Sequence, residues 1–428
     1  MSDSEALEYE STQPPAPPKG ALLTIFLIVL ADLLGFSVII PLLPFYARKY
    51  AASDFQVGLL FAVYSACQLI GSPILGILSD RFGRRPILIF SQVGSVIGFL
   101  LLGYATHGDW SHAPALGLML VYLSRVIDGF SGGNISTAQA YVSDVTTAEN
   151  RAKGMGVIGA AFGIGFTFGP ALGALLGKFD LSYPAFAAAG FCAVAAIQTY
   201  FRLPESRVHK PSETDAWLHP SRFLPILHNG PLVQMLLIFF FSMMAFVMME
   251  TVFAMFLSDT FNYGVTRVGL LFALAGVTIA VVQGGLVGRL SKKFGEWPLV
   301  ITGPVLVTLA MLMLAVVGWR SMVWLVVVSV IVNATGRSLQ TPALSSLISQ
   351  TSDPKQQGTV FGLFHMLGSL ARVIGPLIAG AVYTKYHVGP YLVAGGITLG
   401  AAIWTVLLRR QVVVGGALPV GTEDKLTS

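Results

Sequence analysis

Six charged side chains stand inside otherwise apolar stretches of this chain: Asp32, Arg125, Asp128, Glu250, Arg337 and Arg372. Charges so placed are expensive unless they pair or line an internal hydrated space, and they mark where chemistry is done. In Leu30-Ala-Asp32-Leu-Leu-Gly35 no basic residue neighbours the acid, so Asp32 is a candidate proton carrier. The structural alternative is an ion pair locked with Arg125 or Arg372. Arg125 and Asp128, three residues apart, share a helix face and can partly neutralise each other. Either Arg125 governs when Asp32 or Asp128 holds a proton, or the two form a fixed structural pair. Glu250 lies midway along Ala245-Phe-Val-Met-Met-Glu250-Thr-Val-Phe-Ala-Met255. Polarisable Met and flat rings such as Phe246 suit varied apolar or cationic ligands, although the same stripe also reads as plain packing. Arg337 and Gln340, then His365 and Arg372, add polar groups, the last two being about two helical turns apart. A histidine changes charge near neutral pH, yet a lone histidine is commonly a hydrogen-bonded structural residue. Gln68 completes the candidate substrate contacts, with Asp32, Arg125, Phe246, Glu250, Gln340, His365 and Arg372.

What positions these groups follows from composition. The chain of 428 residues is 54% hydrophobic and 11% charged, against about 25% charged in an average soluble domain. Its 47 charges cannot cover a water-soluble fold of this size, and the mean hydropathy of +0.73 agrees. A net charge of +5 spread over loops argues against nucleic-acid binding. Cys67 and Cys192 lie in apolar stretches, so no disulfide framework, metal site or cofactor motif is expected. Nucleophile, base and orienting group do not occur together, which argues against an enzyme.

A bilayer core of about 30 Å needs roughly 20 apolar residues per helical span. Twelve runs meet this: 21–45, 57–78, 86–105, 115–138, 156–176, 184–203, 232–257, 268–290, 298–318, 322–348, 358–383 and 391–408. The expected fold is therefore an all-α membrane protein with twelve transmembrane helices. Residues 1–20 form an acidic, Pro-rich tail with Asp3, Glu5, Glu8 and Glu10, unlike a cleaved signal and unable to build a core. Residues 204–231, carrying Arg207, Lys210 and Arg222, link bundles at 21–203 and 232–410, and 411–428 form a second tail. Of the Lys and Arg residues, 17 fall on the side of the termini and 6 on the other, which predicts cytoplasmic termini.

The two halves are copies. Gly76-Ile-Leu-Ser-Asp80-Arg81-Phe-Gly83-Arg84-Arg85-Pro86 recurs as Gly288-Arg-Leu-Ser-Lys292-Lys293-Phe-Gly295-Glu-Trp-Pro298 at an offset of 212, while Gly169-Pro170 recurs as Gly375-Pro376 at an offset of 206. Repeat-built transporters commonly bind their substrate where the halves meet. Gly83 suits a tight turn. Asp80 is placed to meet a helix N-terminus and Arg84 to pair with Asp144. In the fifth run, Gly156, Gly159, Gly163, Gly165, Gly169 and Gly173 would let helices approach closely, and Pro170 favours a bend.

These motifs resemble the major facilitator superfamily, and within it the twelve-span drug:proton antiporters of the tetracycline-resistance type. Gly76 to Pro86 matches the family's G-x-L-x-D-R-x-G-R-R loop, Arg125 and Gly129 its fourth-span R-x-x-x-G, and Gly163 to Gly173 its fifth-span antiporter motif. Asp32, followed by Pro41 and Pro44, sits as the first-span acid of those exporters does. The resemblance implies two pseudo-symmetric six-helix bundles and proton-coupled export of an amphiphilic small molecule by alternating access, with Asp32, Glu250, Asp128 and Arg125 in proton coupling. It assigns Gly76, Asp80, Arg81, Gly83, Arg84, Arg85 and Asp144 to holding the outward-facing state, and Gly169 with Pro170 to a hinge or seal. The expected partners are protons, a small-molecule substrate and the lipid bilayer, for a monomer in the plasma (inner) membrane. The chain departs from tetracycline exporters at Gly98, where their third span has an acid, at Ile279, where their eighth has histidine, and in a ninth span without an acid. A different ligand is expected. A proton-coupled symporter importing a metabolite, or a non-transporting membrane receptor, are the alternatives.

Overall fold

The computed structural model describes residues 21–146, 151–206, 224–353 and 356–414. With no water in the bilayer core, backbone amides must bond within their own segment, and every regular element among the described residues is helical. Twelve helices are long and apolar enough to cross a membrane: α1 (Leu22–Arg48), α2 (Asp54–Phe82), α3 (Arg84–His107), α4 (Pro114–Val145), α5 (Gly154–Gly177), α6 (Tyr183–Arg202), α7 (Gly230–Phe261), α8 (Val265–Phe294), α9 (Glu296–Arg320), α10 (Val323–Thr351), α11 (Gln357–Lys385) and α12 (Gly389–Val412). Each coincides with one of the twelve apolar runs. Several overhang it by a turn, because polar residues such as Asp80 and Arg81 continue the α2 helix past the end of its apolar stretch. The tail 1–20, residues 415–428, and Arg207, Lys210 and Arg222 of the linker lie outside the described residues.

Three spans depart from α-helical geometry. α1 tightens into a 3-10 turn at Ile40–Leu42, where Pro41 lacks a backbone donor, and α4 does so at Gly132–Asn134. α8 opens into a π turn at Val282–Val287.

The chain divides into two compact units, Met1–Ala51 with Ala66–Glu213, and Ala52–Ser65 with Thr214–Ser428. α2 therefore contributes to both. In the first unit α1 packs on α5 and α6, and α3 on α4 and α6; in the second α7 packs on α11 and α12, and α9 on α10 and α12. The duplication seen in sequence is thus a duplication of helix pairing. It reaches single residues. Gly83 and Gly295, at the 212 offset, both adopt positive φ, +101° and +76°. A Cβ on Gly169 would stand 1.9 Å from Ser37 Oγ, and one on Gly173 2.4 Å from the Val38 carbonyl oxygen. At the 206 offset, Gly375 faces Met244 in the same way, at 3.1 Å from its carbonyl oxygen. Of the six glycines expected to permit close packing along α5, Gly165, Gly169 and Gly173 touch α1. Gly156, Gly159 and Gly163 face open space, since a four-residue spacing keeps only one set on the α1 side.

Candidate functional site

Asp32, half-buried on α1, is held by neutral groups. Gln92 Nε2 on α3 donates to its Oδ1 at 2.9 Å, Asn134 Nδ2 on α4 donates to its Oδ2, and Cys192 Sγ on α6 lies 3.9 Å from Oδ1. Four helices thus converge on one carboxyl group. Asn134 is the last residue of the 3-10 turn at Gly132–Asn134 in α4. Gln68, expected to contact substrate, donates instead to the Gly132 carbonyl at 3.1 Å and so braces that turn. Gln92 Oε1 is buried without a partner, which leaves an acceptor beside Asp32.

Arg125 pairs with Asp128, Nη1 to Oδ2 at 3.2 Å, and not with Asp32. Both are almost fully buried, at 1% and 3% exposure. The guanidinium lies 5.5 Å from the centre of the Phe99 ring, and its Nη2 has no hydrogen-bond partner. Asp128 acts on Asp32 through space. Gly98 explains how Asp128 gets so deep: a Cβ there would stand 2.9 Å from Asp128 Cβ. The span that lacks an acid therefore makes room for one supplied by α4.

In the second unit, Glu250 on α7 is half-buried, with Arg337 and Arg372 acting on it through space. Arg337 on α10 stacks on Phe246, its guanidinium carbon 3.4 Å from the ring centre, and points Nη2 at Met243 Sδ, 3.5 Å away. Gln340 donates to Ser242 Oγ at 2.8 Å. His365 is exposed on α11, its ring 5.7 Å from that of Phe364. Arg337 and Gln340 stand 212 residues beyond Arg125 and Asp128, so the repeat keeps the arginine and replaces its acid by an amide.

The loop between α2 and α3 carries a charged cluster. Arg84 bonds Asp80 at 2.8 Å, Asp144 at 3.0 Å and Ser79 Oγ at 2.6 Å. The Arg84–Asp144 pair is as anticipated. The carboxylate at the α3 N-terminus, however, is Glu205, which accepts from the amides of Arg84 and Arg85 at 2.8 and 3.1 Å. That carboxylate meets the positive end of the helix, and Ser206 Oγ adds a bond to Asp144 at 3.1 Å. Gly83 is doubly constrained, by its φ and by Glu205 Oε2, 2.5 Å from where its Cβ would be. Arg85 stacks on Tyr200 at 5.5 Å and donates to its carbonyl, while Arg81 lies over Phe82. Gly76 meets nothing within 4 Å and offers only its carbonyl, to Ser79 Oγ. Gln92, Asn134, Cys192 and Glu205 went unread in the sequence. For Glu205 a signal existed, an acid in the first turn after a span, facing a basic loop.

The comparisons agree with this architecture. The family model described as Major Facilitator Superfamily matches residues 25–376 and 321–423. The chain is 30% identical over 414 residues to the tetracycline resistance protein, class C, of Escherichia coli, covering 96% of this chain and 99% of that protein. It is also 30% identical over 404 residues to multidrug resistance protein 2 of Bacillus subtilis, covering 91% and 96%. The crystal structure of the human organic anion transporter MFSD10 superposes with a TM-score of 0.67 at 26% identity, covering 92% of this chain and all of that one. A twelve-span helical fold, a repeated arginine at the heart of each unit and a match over most of its length make this chain a member of the Major Facilitator Superfamily, whose proteins are transporters.

Proposed function

We propose that the chain is a proton-driven exporter of amphiphilic, drug-like small molecules that works by alternating access, with Asp32 as its proton carrier. The observation that carries this is the setting of Asp32: half-buried in a membrane span and bonded to two neutral amides, with no cation within ion-pairing distance among the described residues. A permanent ion pair would fix its charge. Amide partners leave it free to gain and lose a proton, because Gln92 needs only to turn its amide end for end to accept from the protonated acid. Competition between a proton and the substrate for one conformational cycle makes exchange obligatory. Asp128 and Arg125 tune that carboxyl group, and Glu250, Phe246, Gln340, His365 and Arg372 contribute to substrate or proton binding. The Asp80, Arg84, Asp144 and Glu205 cluster stabilises one state of the cycle. The relatives named for tetracycline and multidrug resistance support export. The distribution of basic residues supports cytoplasmic termini in a plasma membrane, and a monomer suffices for this mechanism.

The test is flux in proteoliposomes across an imposed pH gradient, using a panel of amphiphilic compounds. Export of at least one compound, dependent on the gradient and moving protons the opposite way, is expected. Flux in the same direction as the protons would replace the exporter by a symporter, and no coupled flux of any compound would overturn it.

A further inference from the structure

We infer that the second unit holds a subsite for a compact monovalent anion, centred on Arg337. Among the described residues the arginine there forms no ion pair, and the opposing charge that acts on it, Glu250, does so through space. In the first unit the deep arginine is neutralised in place, Arg125 by Asp128 at 3.2 Å. Its counterpart Arg337 has Gln340 where that acid stands, and among the described residues its guanidinium meets a thioether and the face of a phenyl ring. Both are weak acceptors beside the five N–H groups a guanidinium must satisfy. Glu250 acts on it only through space, and Arg372 adds a second positive charge to the same neighbourhood.

Beside Arg337 lies a cavity of about 20 Å³ between α7, α9, α10 and α12, where Ser242, Asn333, Gln340 and Thr341 interrupt a mainly apolar wall that includes Phe246 and Val307. That is room for one or two water-sized groups, the dimensions of a halide ion or of the two oxygens of a carboxylate. Asn333 is 7% exposed, and its Oδ1 has no hydrogen-bond partner. A buried, unsatisfied amide on a cavity wall is costly, and an occupant that bonds to it would remove that cost. Turning the Asn333 amide end for end offers its NH2 group to an anion already facing Arg337, and the Ser242 and Thr341 hydroxyls line the same cavity. Arg337 then gains a charge-assisted contact in a site of low dielectric. Two sources could supply this chemistry, a free inorganic anion or the carboxylate of an organic substrate. The second rests on the transport reading above, whereas the first does not.

The experiment uses the full-length protein in detergent micelles, with no pH gradient, so that it can fail independently of export. Chloride and benzoate are titrated separately at an ionic strength held constant with sulfate, which is divalent and larger than the cavity, and the thermal unfolding midpoint is followed. A saturable upward shift is expected with chloride, or with benzoate. Arg337→Gln should weaken the apparent affinity by about tenfold or more, the effect of losing a charge-assisted contact, and Arg337→Lys should restore part of it. A chloride response assigns a free anion, and a benzoate response without a chloride one assigns a substrate carboxylate. Should Arg337→Gln fail to fold, Asn333→Leu, which fills the cavity and leaves the charges intact, must abolish the response. No saturable shift in the wild type, or a shift unchanged in Arg337→Gln or Asn333→Leu, overturns the subsite.

Discussion

Gly169 is the point where the fifth-span motif bears on the helix that carries Asp32, and replacing it by alanine has a calculable effect. The added Cβ would stand 1.9 Å from Ser37 Oγ, 2.8 Å from Ser37 Cβ and 3.1 Å from the Val38 amide nitrogen. The hydroxyl can rotate away, but it then loses its bonds to the Gly165 carbonyl at 2.8 Å and to Leu33 at 2.6 Å. The bond between helices contributes about 1 kcal/mol. The remaining Cβ–Cβ approach forces α1 and α5 apart, an overpacking effect of about 1–3 kcal/mol. Gly169→Ala should therefore destabilise the protein by about 3 kcal/mol. In a Ser37→Ala background the hydroxyl is already gone, and the same change should cost about 1 kcal/mol less. The assay is a double-mutant cycle on unfolding in mixed micelles, followed by far-UV circular dichroism. A neutral Gly169→Ala, or strict additivity of the two substitutions, would refute this account of the α1–α5 joint, since contacting residues should couple.

Three further outcomes follow from the loop cluster and the segment between α5 and α6. Glu205→Gln should destabilise by about 1–2 kcal/mol, because a neutral amide oxygen accepts the Arg84 and Arg85 amides more weakly at a helix N-terminus; denaturant unfolding checks it. Asp80→Ala should leave stability within about 1 kcal/mol, as Asp80 is 48% exposed in its pair with Arg84, yet slow turnover with little change in substrate binding; wild-type turnover would reduce the cluster to a topology signal. Asp180, outside the spans, is held below the ordinary carboxylate value by the Ser182 hydroxyl and then by the Ser182 amide. A folded-state value below the unfolded one means that this contact stabilises fully above about pH 4 and is lost as the pH falls further. Protection of the Ser182 amide against hydrogen exchange, corrected for the intrinsic pH dependence of exchange, should fall in acid, and an Asp180→Asn variant should lose that pH dependence.

Sequence made the scaffold legible wherever the bilayer or the backbone leaves one solution. Twelve apolar runs must become twelve helices, and a glycine at 83 and again at 295 marks a turn that L side chains rarely adopt. The duplicated loop announced the duplicated helix pairing. The partners of Asp32 were hidden for a different reason. Gln92, Asn134 and Cys192 come from three separate helices whose rotation about their axes is set by packing, and Asn134 ends a local 3-10 turn that the sequence pattern does not announce. Likewise six glycines along α5 look equivalent in sequence, yet only those at a four-residue spacing from Gly165 meet α1. Gly98 appeared as a missing acid, whereas in three dimensions it is the space into which Asp128 fits. Arg337 and Gln340 were visible as polar residues, but the consequence of the exchanged acid emerges only beside the intact Arg125–Asp128 pair.

The proton-carrier role of Asp32 is tested most directly by substrate-induced proton movement in proteoliposomes holding Asp32→Asn, an isosteric change that keeps an acceptor oxygen for Asn134 while Gln92 turns its amide to accept from the new NH2 group. Far-UV circular dichroism should match the wild type while substrate-driven proton flux falls to the level of empty vesicles. Coupled proton flux at the wild-type rate in that variant would contradict the assignment.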